Sequence, residues 1–239
     1  MKILYIFPHP DDESFGPVGA INIQLKEGHE AHLLTLTKGG ATKQRHRLGL
    51  TIDEMGEVRH KEMLEVEKTL GLTSMVVWDY PDSGLKEMDP RVLEKAIAAY
   101  IEELKPEIIV SYPVHGISGF HDHLIAHAVV KRVFLEMKEQ GHDYLKRLAF
   151  ITIRDNGAPT FLDGKIRLKH TEEELLDCIV QLQDEDVEML KSCLSCYATY
   201  KSTIEESGVI KAIGNQVYFE FFNEDCTPPV GAITDNISE

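Results

Sequence analysis

Through the first two-thirds of the chain, short apolar runs alternate with segments whose apolar residues recur at helical spacing. The runs Ile3–Phe7, Ala31–Thr37, Met75–Tyr80, Ile108–Tyr112 and Leu148–Ile153 predict strands. Between them, Val18, Ile21 and Leu25 repeat at helical spacing and Gly28 supplies a stop. Val58 to Leu70 ends at Gly71, and Val92 to Leu104 and Ala126 to Met137 complete the set of predicted helices. Strand and helix in alternation is the pattern of a parallel sheet with crossover helices on its faces. The predicted fold is α/β: a Rossmann-like, doubly wound, mainly parallel sheet.

Two stretches depart from this rhythm. Ala41 to Gly56 carries Lys43, Arg45, His46 and Arg47 without clear periodicity and predicts a long loop over the ends of the strands. Beyond Asn156 the alternation breaks. There the pattern predicts an acidic helix from about Glu172 to Tyr197, an edge strand over Gln216–Phe222 and a poorly ordered tail from Pro228 to Glu239. With no repeat and no linker, the expectation is a single domain over 1–239, with 156–239 a less regular C-terminal part.

Composition narrows the function classes. A chain of 239 residues can bury a sizeable core. Its net charge of −15 argues against a nucleic-acid binder and against docking to an anionic membrane. No apolar stretch approaches the roughly 20 residues of a spanning helix, and the run before the first charged motif is too short for a signal peptide. The four cysteines lie in the last quarter, and a chain this long needs no staple, so a reduced, cytoplasmic protein is expected. A homo-oligomer is compatible with all of this.

The chemistry concentrates in two places. Pro8-His9-Pro10-Asp11-Asp12-Glu13 packs one imidazole and three carboxylates at the end of the first predicted strand. His115 to His123, containing His121 and Asp122, follows the fourth. In open parallel sheets ligands bind beyond the carboxyl ends of strands where the strand order reverses, and in common doubly wound orders these two strands flank that point. Zinc takes imidazole nitrogen and carboxylate oxygen and keeps a position open for water in catalytic sites. His9, one of Asp11 or Asp12, and His123 would form such a site, with the other carboxylate facing the water as general base. Asp122 is expected as a helix cap, and His127, one turn beyond His123, as a buried or supporting histidine. Cys193 and Cys196, spaced like a redox pair, fall within a helical pattern and predict incidental packing. No Gly-x-Gly-x-x-Gly follows the first strand, so dinucleotide binding lacks its phosphate cradle.

These motifs make the chain resemble a known family. Phe7-Pro8-His9-Pro10-Asp11-Asp12-Glu13-Ser14-Phe15-Gly16, Gly119-Phe120-His121-Asp122-His123, Leu36-Thr37-Lys38-Gly39-Gly40, Arg59 with Glu62, and Asp82-Ser83-Gly84 look like the LmbE/PIG-L family of metal-dependent N-acetylglucosaminyl deacetylases. The first motif is especially similar to the bacillithiol-type branch, which acts on N-acetylglucosaminyl malate. The resemblance covers roughly residues 1 to 135. It implies a zinc-dependent hydrolase that removes an acetyl group from an acetylated amino-sugar conjugate by attack of metal-bound water, with iron or another divalent ion as an alternative metal. His9, Asp12 and His123 would bind the metal, Asp11 would be the base, and Arg59 and Asp82 would contact substrate. The family usually carries His-Pro-Asp-His in the second motif. Here Phe120 stands at the first histidine, leaving His121 or His115 to take its electrostatic role. Two rival expectations are a metal- or ligand-binding member without catalysis, and an amidase on a non-sugar substrate.

Overall fold

The first strand, β1 (Lys2–Phe7), feeds two cores at once. Ile3, Tyr5 and Phe7 point to one face of the sheet, Leu4 and Ile6 to the other, and all five are fully buried. Double burial explains why this run is apolar at every position instead of alternating. The computed structural model describes residues 1–155, 157, 161–162, 166–209 and 214–237. After β1 come α1 (Val18–Lys26), β2 (Glu30–Thr37), α2 (Gln44–Leu48), α3 (Ile52–Leu70), β3 (Ser74–Tyr80), α4 (Pro90–Leu104), β4 (Ile108–Ser111), α5 (His121–Glu139) and β5 (Arg147–Thr152). The C-terminal part adds the short β6 (Phe161–Leu162) and β7 (Ile166–Arg167), then β8 (Cys178–Gln181), α6 (Asp184–Cys196), α7 (Lys201–Ser207) and β9 (Gln216–Phe221).

The main sheet has the order β3-β2-β1-β4-β5-β9-β8. Its first five strands run parallel, and β9 pairs antiparallel with both β5 and β8. The order reverses between β1 and β4, which are directly paired with Ile3 opposite Ile108 and Tyr5 opposite Val110. Helices α1, α3 and α6 cover one face and α4 and α5 the other. The predicted doubly wound α/β fold is observed, and the two chemistry-bearing segments leave adjacent strands at the switch point.

Three expectations need correction. Ala41–Gly56 is not one loop: α2 occupies its middle, and α3 begins at Ile52. A capping box starts α3, with the Glu54 side chain accepting from the Thr51 N–H at 2.9 Å and Thr51 Oγ1 accepting from the Glu54 N–H at 3.2 Å. The predicted long acidic helix splits. Cys178-Ile179-Val180 pairs as part of β8, and α6 starts only after Gln183, where Asp184, Glu185 and Asp186 suit the positive helix terminus. The tail is tied down rather than loose as far as residue 237, and its last two residues lie outside the described ones. The Arg147 guanidinium donates to the carbonyls of Ile233 (2.6 Å) and Asp235 (2.9 Å), and Ile233 is fully buried. Gln216–Phe221 does form a strand, as its alternation predicts. Cys193 and Cys196 are free thiols packed along α6.

Candidate active site

The turn after β1 is held through several of its backbone groups. The Pro8 carbonyl accepts from the Thr37 N–H (3.0 Å) and hydroxyl (2.9 Å), and the Pro10 carbonyl accepts from Arg59 (2.6 Å). The Asp11 carbonyl accepts from the N–H groups of Ser14 and Phe15, and the His9 N–H donates to Asp12 Oδ2 at 2.9 Å. Asp11 itself has φ +83°, in the left-handed region that non-glycine residues rarely adopt. Gly39 fits against this turn because a Cβ there would stand 2.8 Å from Pro10 Cδ and collide with the Arg59 guanidinium.

Three donors converge beside the turn. His9 Nδ1 lies 3.2 Å from His123 Nε2 and 3.6 Å from Asp12 Oδ2, and His123 Nε2 lies 3.5 Å from Asp12 Oδ1. An ion bound tetrahedrally at about 2.0–2.1 Å spaces its donors about 3.3–3.4 Å apart, close to the separations in this triangle, in which each histidine nitrogen faces a different Asp12 oxygen. Partners fix both tautomers. His123 Nδ1 faces the Gly116 carbonyl at 3.0 Å, which leaves Nε2 unprotonated toward the triangle. His9 Nε2 faces Asp122 (3.2 Å) and Asp82 (3.3 Å), which leaves Nδ1 for the triangle. Tyr112 completes the support: its hydroxyl donates to Asp12 Oδ1 at 2.6 Å, and its ring stacks on His123 with centroids 4.1 Å apart. In the metal-free protein burial alone would lower the His9 pKa, yet hydrogen bonds to Asp122 and Asp82 outweigh it and hold His9 up at about 10. A cation bound there would compete with a proton for this imidazole.

Asp11 stands beside the triangle without belonging to it. Its Oδ2 pairs with the buried Arg59 at 2.6 Å, and Arg59 also reaches the Gly39 carbonyl at 3.2 Å. Burial pushes the Asp11 carboxyl up to about 7, with Asp12 and Glu13 adding to the rise and Arg59 opposing it. A carboxylate poised near neutrality has the basicity expected of a proton acceptor.

Asp82 and Arg59, predicted to contact substrate, both make their visible contacts with the protein. Asp82 accepts the Ala41 N–H at 2.7 Å and faces His9, and Arg59 braces Asp11 and Pro10. Asp122 does not cap α5, where Phe120 is the N-cap; it is buried and accepts the N–H groups of Ser83 (2.7 Å) and Leu85 (3.3 Å). It thus ties the β3–α4 connection to His9. With His9 holding a metal, as proposed below, replacing Asp122 with Asn should weaken that binding about 10–100-fold, the usual cost of removing a carboxylate behind a ligating histidine. Competition against a chromophoric chelator would measure this, and affinity equal to wild type would refute the role.

The remaining histidines stand apart from the triangle. His121, at the first position of α5, is exposed, and its side chain makes no hydrogen bond or ion pair among the described residues. His115 turns to Thr171, 3.3 Å from Nε2, and burial lowers its pKa. Phe120 is 41% exposed and meets His123 edge-on at 5.5 Å. His127 is buried and bonds the Tyr112 carbonyl at 2.9 Å, the supporting role expected of it. Sequence reasoning missed Tyr112, which was findable as the last residue of the predicted strand leading into a histidine cluster.

Comparison with known proteins places the chain in a family. The chain is 25% identical over 224 residues to the "Probable N-acetyl-alpha-D-glucosaminyl L-malate deacetylase 2" of Bacillus anthracis, covering 88% of this chain and 89% of that protein. It is 31% identical over 152 residues to the 1D-myo-inositol 2-acetamido-2-deoxy-alpha-D-glucopyranoside deacetylase of Thermomonospora curvata, covering 55% of this chain and 51%, about half, of that protein. Two solved structures share the fold with a TM-score of 0.70. A deacetylase of teicoplanin biosynthesis matches at 12% identity over 94% of this chain and 100% of its own. GalB, the 4-carboxy-2-hydroxymuconate hydratase of Pseudomonas putida, matches at 13% identity over 99% of both. Residues 4–134, which hold both motifs of the donor triangle, match the model of the PIG-L family, described as GlcNAc-PI de-N-acetylase, and the chain belongs to that family.

Proposed function

We propose that the protein is a metal-dependent N-deacetylase that hydrolyses the acetamide of an N-acetylglucosamine-type conjugate to acetate and the free amino sugar. The observation that carries this reading is the donor triangle of His9, Asp12 and His123, the only grouping with both histidines among the candidate metal clusters of the described residues. The donor types suit zinc, and iron(II) is the alternative that imidazole and carboxylate also accept. A cation held there would polarise the acetamide carbonyl and make water acidic. The chain's own groups do the rest. Asp11 accepts the proton from the attacking water, and the same carboxyl later delivers it to the departing amine nitrogen. Arg59 fixes the carboxylate and moderates its basicity. Asp82 and Asp122 hold the His9 ring in the orientation that presents Nδ1. The match along nearly the full length of the Bacillus protein makes N-acetylglucosaminyl malate the first substrate to try. Release of acetate and free amine in equal amounts tests the reading, and no release from any acetylated amino sugar would overturn it.

Phe120 favours a second reading, a member that binds metal and ligand without turnover. No imidazole at that position supports a tetrahedral oxyanion, and His121 and His115 make no contact with the triangle. A metal-loaded protein that binds the conjugate and leaves it intact would decide for it.

The pH dependence follows from Asp11. The carboxylate is the active form, so kcat/KM rises with pH and falls about tenfold per unit below the Asp11 pKa. A bound cation lowers that pKa further, which sets the acid limb at or below about 7. Arg59→Met removes the opposing charge and should move the limb upward by about 1–3 units. An unmoved limb in a pH–rate profile would show that Asp11 is not the titrating group.

A further inference from the structure

Asp11 is held from a distant part of the chain. Its N–H donates to the Tyr197 hydroxyl at 2.9 Å, and that hydroxyl donates in turn to Glu13 Oε1 at 2.6 Å. Glu13 is fully buried, and the Ser14 hydroxyl donates to the same oxygen at 2.6 Å. Three residues on, Tyr200 lays its ring over the Arg59 guanidinium, 4.4 Å from the centroid, and its hydroxyl bonds Thr42 at 2.5 Å. Between them the Thr199 N–H and hydroxyl both donate to the buried Glu62, one turn along α3 from Arg59, at 2.7 and 2.8 Å. We infer that Tyr197 and Tyr200 are positioning residues that clamp Asp11 and its Arg59 partner, so that the segment after α6 completes the site. This inference rests on the base role proposed for Asp11.

The geometry goes beyond ordinary core packing. A buried tyrosine hydroxyl needs a hydrogen-bond partner but can find it anywhere. Here it receives the one N–H that a left-handed Asp11 turns away from the other bonds of the turn, and such a conformation persists only where its surroundings over-determine it. Arg59 is fastened from two directions: its Nη1 donates to Gly39 and its Nη2 to Pro10 and Asp11, and the Tyr200 ring covers its face. Both tyrosines lie outside residues 4–134, so the part that matches the family model does not contain its own clamp.

The test is Tyr197→Phe, which keeps the ring and removes both hydroxyl bonds. The expected result is kcat about 10–100-fold lower, with KM within about twofold of wild type and one metal still bound per chain, because Asp11 is displaced while the donor triangle is not. Unchanged kcat, or a loss of kcat that follows a loss of metal, would overturn the inference. If wild-type protein releases no acetate, the proposed function fails, and a crystal structure of Tyr197→Phe decides the clamp separately. Asp11 leaving the left-handed region and parting from Arg59 supports it, and an unchanged Asp11 refutes it. Should Tyr197→Phe not fold, Tyr200→Leu reads the same clamp through Arg59. Lower kcat at constant KM and metal content is expected, and wild-type kcat would overturn it.

Discussion

Asp11→Asn will lower kcat by about 10²–10⁴-fold while the protein keeps its metal, the range expected for loss of a positioned general base. The substitution preserves shape and can still accept a hydrogen bond from Arg59, whose guanidinium donates to Asp11 Oδ2 at 2.6 Å. What it removes is the capacity to take up a proton at a group that burial holds near pH 7. The donor triangle is untouched, because Asp12 and not Asp11 faces His9 and His123. The loss should therefore appear in kcat with KM little changed, the pattern of an interaction made in the transition state. Full turnover by Asp11→Asn would remove Asp11 from the chemistry.

His123→Ala should abolish both metal binding and turnover. It deletes one of three donors, opens a hole beneath the stacked Tyr112 ring, and leaves His9 and Asp12 as the remaining pair. Losing a supporting carboxylate already costs about 10–100-fold in metal affinity, so losing a donor should cost more than about 10²-fold. Metal analysis after desalting reads the first effect, and acetate release reads the second. Retained metal with lost turnover would place His123 in catalysis rather than in the donor set.

The parts of this site legible in the sequence are those encoded locally. A wholly apolar pentapeptide followed by Pro-His-Pro-Asp-Asp-Glu marks a buried strand and a polar turn whatever the remainder does. The second cluster follows another apolar run, and alternating strands and helices bring such segments to one crevice. What the sequence does not reveal depends on contacts between distant residues. Arg59 sits in an otherwise ordinary amphipathic helix, and only the folded chain shows that it ends on Asp11 and Pro10. Asp122 reads as a cap because an acidic residue beginning a helix usually is one, whereas its bonds run to Ser83, Leu85 and His9. Tyr197 joins Asp11 across 186 positions, a pairing that no local pattern announces. The errors at the C-terminal part have a related cause. Cys178-Ile179-Val180 is too short to assert a strand by itself and becomes one only beside β9. The tail looks loose until Arg147 is seen holding its carbonyls.

The proposed activity requires that a metal held by His9, Asp12 and His123 be present for removal of an acetyl group. Its most direct test measures metal content and acetate release in one preparation, with N-acetylglucosaminyl malate as substrate, before chelation, after chelation and after metal is restored. The expected result is one metal per chain, acetate and free amine in equal amounts, loss of both metal and turnover on chelation, and recovery of both together. Undiminished turnover without metal, or a fully loaded protein that releases acetate from no acetylated amino sugar, would contradict it.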